Sequence, residues 1–463
     1  MAGSNTNDGF RYLNVRPEKG GVWNLLKFSL WGSNHGLVVV GGGAAAAAAA
    51  QEEVHRWVIM VSIVVRKLLH LFRKPMEFTG YVVEFFLNLI SQNGSLFTLF
   101  SNILLGKVVI PKRGSDSYIS IVGQLDKRVD LYKAKKLVGE LHESQGIAQL
   151  EFSVPETMDQ YYQKEKSTQV FITSDKPKDA SLILISFRGT EPFDADDWST
   201  DADYSWYDCP GVGKIHMGFL EALGLGNRED IETFSYNLRM KNSKHTYSEA
   251  AEESAQLEMA EKSAYYLVRV KLRSLLEEHK NAKFIVTGHS LGGALAIMFP
   301  IVLAIHGEMK LMEKLSGVYT FGQPRVGDRQ LKKFMEAHLD QPVPKYFRVV
   351  YCNDVVPRLP YDDKTFLYKH FGVCLYYNSC YIEQRMEEEP NKNYFAISQM
   401  IPEYLNAVWE LIRGLAAGFI YGAEYKEGWF SMLFRVLGLA MPGVAAHCPT
   451  NYINSVRLGR QCT

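Results

Sequence analysis

The chain has 463 residues, 47% of them hydrophobic, which is enough to bury one large core and a second, smaller one. Lys plus Arg and Asp plus Glu each number 51, so this neutral chain offers no electrostatic grip on a polyphosphate backbone, and nucleic acid is not the expected partner. The six cysteines (Cys209, Cys352, Cys374, Cys380, Cys448 and Cys462) form no CxxC pair, which argues against zinc and a disulfide framework and fits a reducing compartment.

Residues 1–54 read as a polar, low-complexity segment. Its opening, MAGSNTNDGFRYLNVRPEKGG, lacks the charged-then-apolar layout of a secretory leader, so the expectation is work on the cytosolic side. The tract VVVGGGAAAAAAAQ reads as a spacer. Residues 55–117 then form an apolar helical region in three blocks: Trp57 to Val65, Phe78 to Ile90, and Leu96 to Ile110. None reaches the ~18 clean apolar residues of a membrane span. A helical hairpin turning at Asn93-Gly94, with arms of roughly 20 Å, would insert into lipid from one side, and packing onto the protein is the alternative.

From residue 118 to 463 the pattern is that of one globular domain. The runs SLILISFRGT (from Ser181), KFIVTG (from Lys283), GVYTFG (from Gly317) and YFRVVYC (from Tyr346) show little polar alternation, as strands covered on both faces do. Helical stretches at Gln256–His279, Gly293–His306 and Asp328–His338 separate them, so the expected fold is α/β around a mostly parallel sheet. Two insertions interrupt it: a polar one at about 225–255, and an apolar one at about 395–441 whose large apolar residues could dip into lipid, line a cavity or pack on the core.

Between the second strand and its helix lies Gly288-His289-Ser290-Leu291-Gly292, a G-x-S-x-G sequence at the strand–turn–helix corner where that motif exposes a nucleophile. A serine hydroxyl needs a base, and the base needs a group to orient it. With the order serine, acid, histidine, His447 in a Gly/Pro-flanked loop is the candidate base, ahead of His370 in a strand-like run. Asp354, directly after YFRVVYC, is the candidate acid. Asp328 is more simply a helix N-cap, and Asp362 and Asp363 an exposed turn. Oxyanion donors are expected from the backbone N–H of Leu291 and from Thr190 in FRGT.

The motifs SFRGT, DDWSTD, IHMGF, VTGHSLGGALA, TFGQPRVGD and NDVVPRLP together resemble the class 3 (fungal-type) triacylglycerol lipases, from about Leu182 to Leu359 and again around His447. The resemblance implies an α/β-hydrolase fold with Ser290, Asp354 and His447 as triad, Thr190 and Leu291 as oxyanion hole, a lid at about Glu191 to Trp198, and a structural His216. The extended N-terminal region with VRPEKGG and the long insertion before His447 are most similar to the plant oil-body lipases. Acylglycerol ester hydrolysis without metal or organic cofactor is therefore expected, on the cytosolic face of a lipid droplet or at the endoplasmic reticulum membrane. A phospholipid or galactolipid acyl hydrolase on the same fold, a non-catalytic scaffold and a structural droplet-coat protein are the competing readings.

Overall fold

The computed structural model describes residues 11–41, 56–121, 148–152, 168–238, 263–360 and 368–461, less a few single positions within those ranges. Asp362, Asp363 and most of the polar insertion lie outside the described residues.

The chain begins with β1 (Tyr12–Val15), α1 (Val22–Trp31) and β2 (Val38–Gly41). β2 pairs antiparallel with β1, so the valines expected in a spacer belong instead to a sheet. Three β-branched residues in a row suit a pleated surface, and Val38 is buried with Leu13, Val15 and Phe28.

Next comes α2 (Arg56–Gln92), a single helix of 37 residues and about 55 Å, not two separate apolar blocks. The basic stretch between the blocks does not break it, because Arg and Lys are good helix formers and find partners beside the helix. Arg66 pairs with Asp203 at 2.8 Å, and Arg73 with Glu77 at 3.0 Å and Asp196 at 3.1 Å. Pro75 removes one backbone hydrogen bond without ending the helix. The chain turns at Gly94 (φ 91°) into α3 (Leu96–Leu104), only nine residues long. The hairpin is therefore strongly unequal, with a second arm of about 13 Å.

Strands β3 (Ala148–Phe152), β4 (Thr168–Ser174) and β5 (Leu182–Phe187) open the large sheet. After α4 (Ala195–Asp201), strands β6 (Trp206–Cys209) and β7 (Gly213–His216) join β1 and β2 in a four-stranded antiparallel sheet ordered β2-β1-β6-β7. Then α5 (Ala264–Glu278), β8 (Lys283–His289), α6 (Leu291–Ile305), β9 (Leu315–Phe321), α7 (Arg329–Leu339) and β10 (Tyr346–Tyr351) alternate. Beyond them run β11 (Val373–Tyr377), β12 (Ile382–Met386), α8 (Ile397–Tyr421), α9 (Trp429–Leu437), α10 (Pro449–Leu458) and β13 (Arg460–Gln461).

The large sheet has nine strands in the order β13-β12-β11-β10-β9-β8-β5-β4-β3. The pairs β5/β8, β8/β9, β9/β10 and β10/β11 are parallel, giving the mostly parallel centre of an α/β-hydrolase fold. All fifteen residues of α6 are buried, as a helix apolar all round must be, and it packs across β8, β9 and β5. Asp328 caps α7 by accepting from the N–H groups of Gln330 (3.0 Å) and Leu331 (2.9 Å), as its position implies.

A buried ion network locks α2 to the domain. Asp203 accepts from Arg66 at 2.8 Å and from Arg228 at 2.9 Å, and Arg228 also reaches Glu221. Burial alone would raise the Asp203 carboxyl, yet Arg228 and Arg66 hold it well below the usual carboxylate range. Ser62, one turn before Arg66, donates to the carbonyl of Ala202 at 2.6 Å. Breaking a buried pair strands the remaining charge, so Arg66→Ala is expected to cost about 3–5 kcal/mol of unfolding free energy, read from the denaturant midpoint. A midpoint equal to that of the parent would mean the network does not hold the helix.

Candidate active site

Ser290 stands between β8 and α6 with φ 58° and ψ −130°, a backbone conformation that L residues rarely occupy. The corner holds because its neighbours lack bulk. A Cβ on Gly288 would lie 2.1 Å from the carbonyl oxygen of Gly292, and one on Gly292 would lie 2.3 Å from that of Phe187. The Ser290 N–H donates to the carbonyl of Phe321 at 2.9 Å, which ties the corner to the next strand.

Asp354 follows β10 after a three-residue step and is fully buried. Its Oδ1 accepts from the Val356 N–H at 2.9 Å. Its Oδ2 accepts from His447 Nδ1 at 2.7 Å and from the Tyr452 hydroxyl. His447 lies between a short helix (Pro442–Ala446) and α10, and its Nε2 is 2.8 Å from Ser290 Oγ. The three side chains expected to meet are thus in one hydrogen-bonded line. The close approach of Asp354, His447 and Tyr452 demands Gly322 (φ 58°), where an added Cβ would sit 2.9 Å from an atom of each.

Three residues not singled out by sequence complete the site. Tyr452, one and a half turns after His447 on α10, helps to fix the Asp354 carboxylate. His289, inside the serine motif, donates from Nε2 to the backbone carbonyl of His447 at 3.0 Å, and the two rings lie 4.5 Å apart. Burial and the adjacent His447 ring hold His289 well below the ordinary histidine range, so it is neutral and sets no second charge beside His447. The third is Asp201, at the end of α4. It accepts the Thr190 hydroxyl at 2.9 Å, and burial pushes its pKa up to about 7. The advance signals were the acidic run DDWSTD and an aromatic five residues past the candidate base.

Leu291 follows the nucleophile at the start of α6, and Thr190 lies in the loop after β5 with its hydroxyl donated to Asp201. The loop after β5 presses on the serine corner so closely that a Cβ on Gly189 would lie 2.4 Å from the His289 carbonyl oxygen and 3.4 Å from Ser290 Cβ. The segment at the implied lid position contains α4, whose N-cap Asp194 accepts from the N–H groups of Asp196 and Asp197. Phe193 packs on α2, where a Cβ on Gly80 would come within 2.7 Å of it. Ser290 (2% exposed) and His447 (8%) are both covered.

The competing histidines lie elsewhere. His370 is buried just before β11, its Nε2 2.7 Å from the carbonyl of Pro357. His216 stacks on Phe219 at 3.9 Å and bonds to the Asp203 carbonyl at 2.8 Å, while burial pulls its pKa down to about 4. Both serve packing. Among the described residues no group of His, Cys, Asp and Glu has the arrangement of a metal site.

The family model described as Lipase (class 3) matches residues 184–364, which include the serine corner and Asp354. A Nicotiana tabacum protein named Triacylglycerol lipase OBL1 is 50% identical to this chain, over 97% of this chain and 95% of its own. An Arabidopsis thaliana protein of the same name is 50% identical over 99% and 96%, and one from Ricinus communis is 41% identical over 88% and 86%.

A hydrogen bond to a charged group contributes about 1.5–3 kcal/mol. Tyr452→Phe, which removes one donor from Asp354, is therefore expected to lower kcat about tenfold or more with KM little changed. Unaltered kcat would show that Tyr452 only fills space.

Proposed function

This chain belongs to the class 3 lipases, and from that premise we propose that it hydrolyses long-chain triacylglycerol at the surface of a lipid droplet, using Ser290, His447 and Asp354. The observation carrying the reading is the unbroken line from Ser290 Oγ through His447 to Asp354, at 2.8 and 2.7 Å. The names of the relatives supply the substrate.

In the first half-reaction Ser290 Oγ attacks the acyl carbonyl carbon while His447 Nε2 takes its proton. Asp354 holds Nδ1–H and stabilises the imidazolium that forms. The oxyanion is received by the backbone N–H groups of Leu291 and Thr190, the Thr190 hydroxyl being donated to Asp201. His447 then protonates the departing glyceride oxygen, and the diacylglycerol leaves. Water, deprotonated by the same imidazole, attacks the acyl-enzyme, and the fatty acid is released with Ser290 regenerated. With the nucleophile covered, the substrate enters only after the segment from Glu191 to Trp198, at the lid position, moves aside.

The place of work follows from the substrate. Each methylene contributes ~0.8 kcal/mol to partitioning, so long-chain esters remain in the oil and the enzyme must dock on it. Along α2 a stripe without charges, including Val61, Val64, Leu68, Leu71 and Phe72, faces outward at helical spacing, opposite the buried Ile59, Ile63 and Arg66. No helix among the described residues is long and apolar enough to cross a membrane. The proposed location is accordingly the cytosolic face of the droplet.

Purified protein given emulsified long-chain triacylglycerol is expected to release fatty acid, and Ser290→Ala to lower that rate about 10⁴-fold or more. Parallel assays with phospholipid and galactolipid separate the alternatives. Release from those alone moves the substrate to polar lipids, and no release from any substrate leaves a scaffold.

A further inference from the structure

We propose that α8, with α9 beside it, is a second lipid-docking surface that lies directly in the acyl region of the droplet monolayer and is separate from α2. This extends the droplet-surface reading above and rests on it.

The carrying observation is that α8 is inside out. Its 25 residues include three charged ones, Glu403, Glu410 and Arg413, and all three are buried, at 4–5% exposure. Its outer face carries Ile401, Leu405, Trp409, Ile412, Leu415 and Phe419, exposed between 46% and 93%. Against water this arrangement is penalised twice. An exposed large apolar side chain forgoes about 1.5–3 kcal/mol of burial, and each buried ion loses several kcal/mol of hydration. When the outer medium is hydrocarbon the first penalty disappears, and the inner face is the only polar environment left for the charges.

Two of the inward charges, Glu410 and Arg413, are paired, while Glu403 Oε1 is buried without a hydrogen-bond partner. Arg435 of α9 reaches Glu410 at 3.1 Å, Glu427, and Asn451 Oδ1 at 2.7 Å. Arg413 donates to the Tyr351 hydroxyl at 3.1 Å and lies 4.3 Å from the centre of the Tyr381 ring. The network ends at the catalytic loop, since the Asn451 amide donates to the carbonyls of Ala445 (3.0 Å) and Ala446 (3.3 Å), next to His447. The docking helix is thus fastened to the segment that carries the base.

α9 also joins α8 to the C-terminal part of α2. On α9, Phe430 is buried in one cluster with Leu87 of α2 and Cys448, and Phe434 packs against it, while α9 also packs on α8. α9 adds Leu433 and Val436 to the exposed apolar surface, at 44% and 49%. A lipid surface fits this face better than a second protein copy. The stripe from Ile401 to Ile420 runs about 29 Å and carries no charge, whereas protein interfaces have a polar rim.

The test uses the full chain and an emulsion of long-chain triacylglycerol coated with phosphatidylcholine. Flotation and fatty-acid release are measured for the parent and for the triple variant Ile401→Glu, Leu405→Glu and Ile412→Glu, with a short-chain soluble ester as the fold control. At least a tenfold fall in bound fraction and emulsion hydrolysis is expected, with soluble-ester hydrolysis within twofold of the parent. If the triple variant loses soluble-ester activity, the single variant Phe419→Glu is read instead, together with quenching of Trp409 by brominated acyl chains in the parent against Trp409→Phe. Unchanged flotation of a folded variant, or no quenching assignable to Trp409, overturns the proposal. So does a parent dimer in sedimentation that the variant dissociates while flotation persists, which would make the occupant a second copy. These failures leave the droplet-surface reading standing, because the parent still floats. A parent that does not float at all refutes that reading itself.

Discussion

The site depends on one demand: a hydroxyl, an imidazole and a carboxylate that are distant in sequence must meet within hydrogen-bond length. Parallel β8, β9 and β10 place the serine corner and the loop carrying Asp354 on the same edge of the sheet. The loop ahead of α10 then drops His447 between them. The backbone strain at Ser290 is sustained by glycine-only contacts on either side and by the wholly buried α6 behind it. Any side chain at Gly288, Gly292 or Gly322 would push on this line.

Electrostatics around the line is arranged by burial. His289 and His216 are both held neutral by desolvation, so neither competes with the imidazolium expected on His447 during turnover. Asp201 shows the opposite effect, a carboxyl raised by the same loss of water and partly relieved by the Thr190 hydroxyl. Where charges are buried in quantity, as in Arg66–Asp203–Arg228, they join separate elements. That network lets a long apolar helix at the N-terminal end stay attached to the hydrolase domain.

Two helices turn apolar stripes outward while burying polar groups: Ser62, Arg66 and Asn88 on α2, and all three charged residues of α8, Glu403, Glu410 and Arg413. The inversion of α8 has a simple cause if the surroundings are oil. Cys448, next to His447, shares a cluster with Leu87 of α2 and Phe430 of α9, so the loop carrying the base packs against both helices.

The sequence by itself determined the elements whose information is local. The α/β alternation, the Gly-flanked serine corner, the acid after a strand and the cap at Asp328 all follow from residue chemistry within a few positions. Only the tertiary structure decided the partners that come from afar. The continuity of α2 through Arg66 to Pro75 depended on Asp203 and Asp196, each more than a hundred residues away in sequence. The valines of β2 needed β1 as a partner before they could be a strand. Tyr452 and Asp201 entered the site because helix ends carry them there. Hydropathy could mark α8 as apolar, but its orientation lay beyond that signal: periodicity separates two faces without saying which one meets the protein.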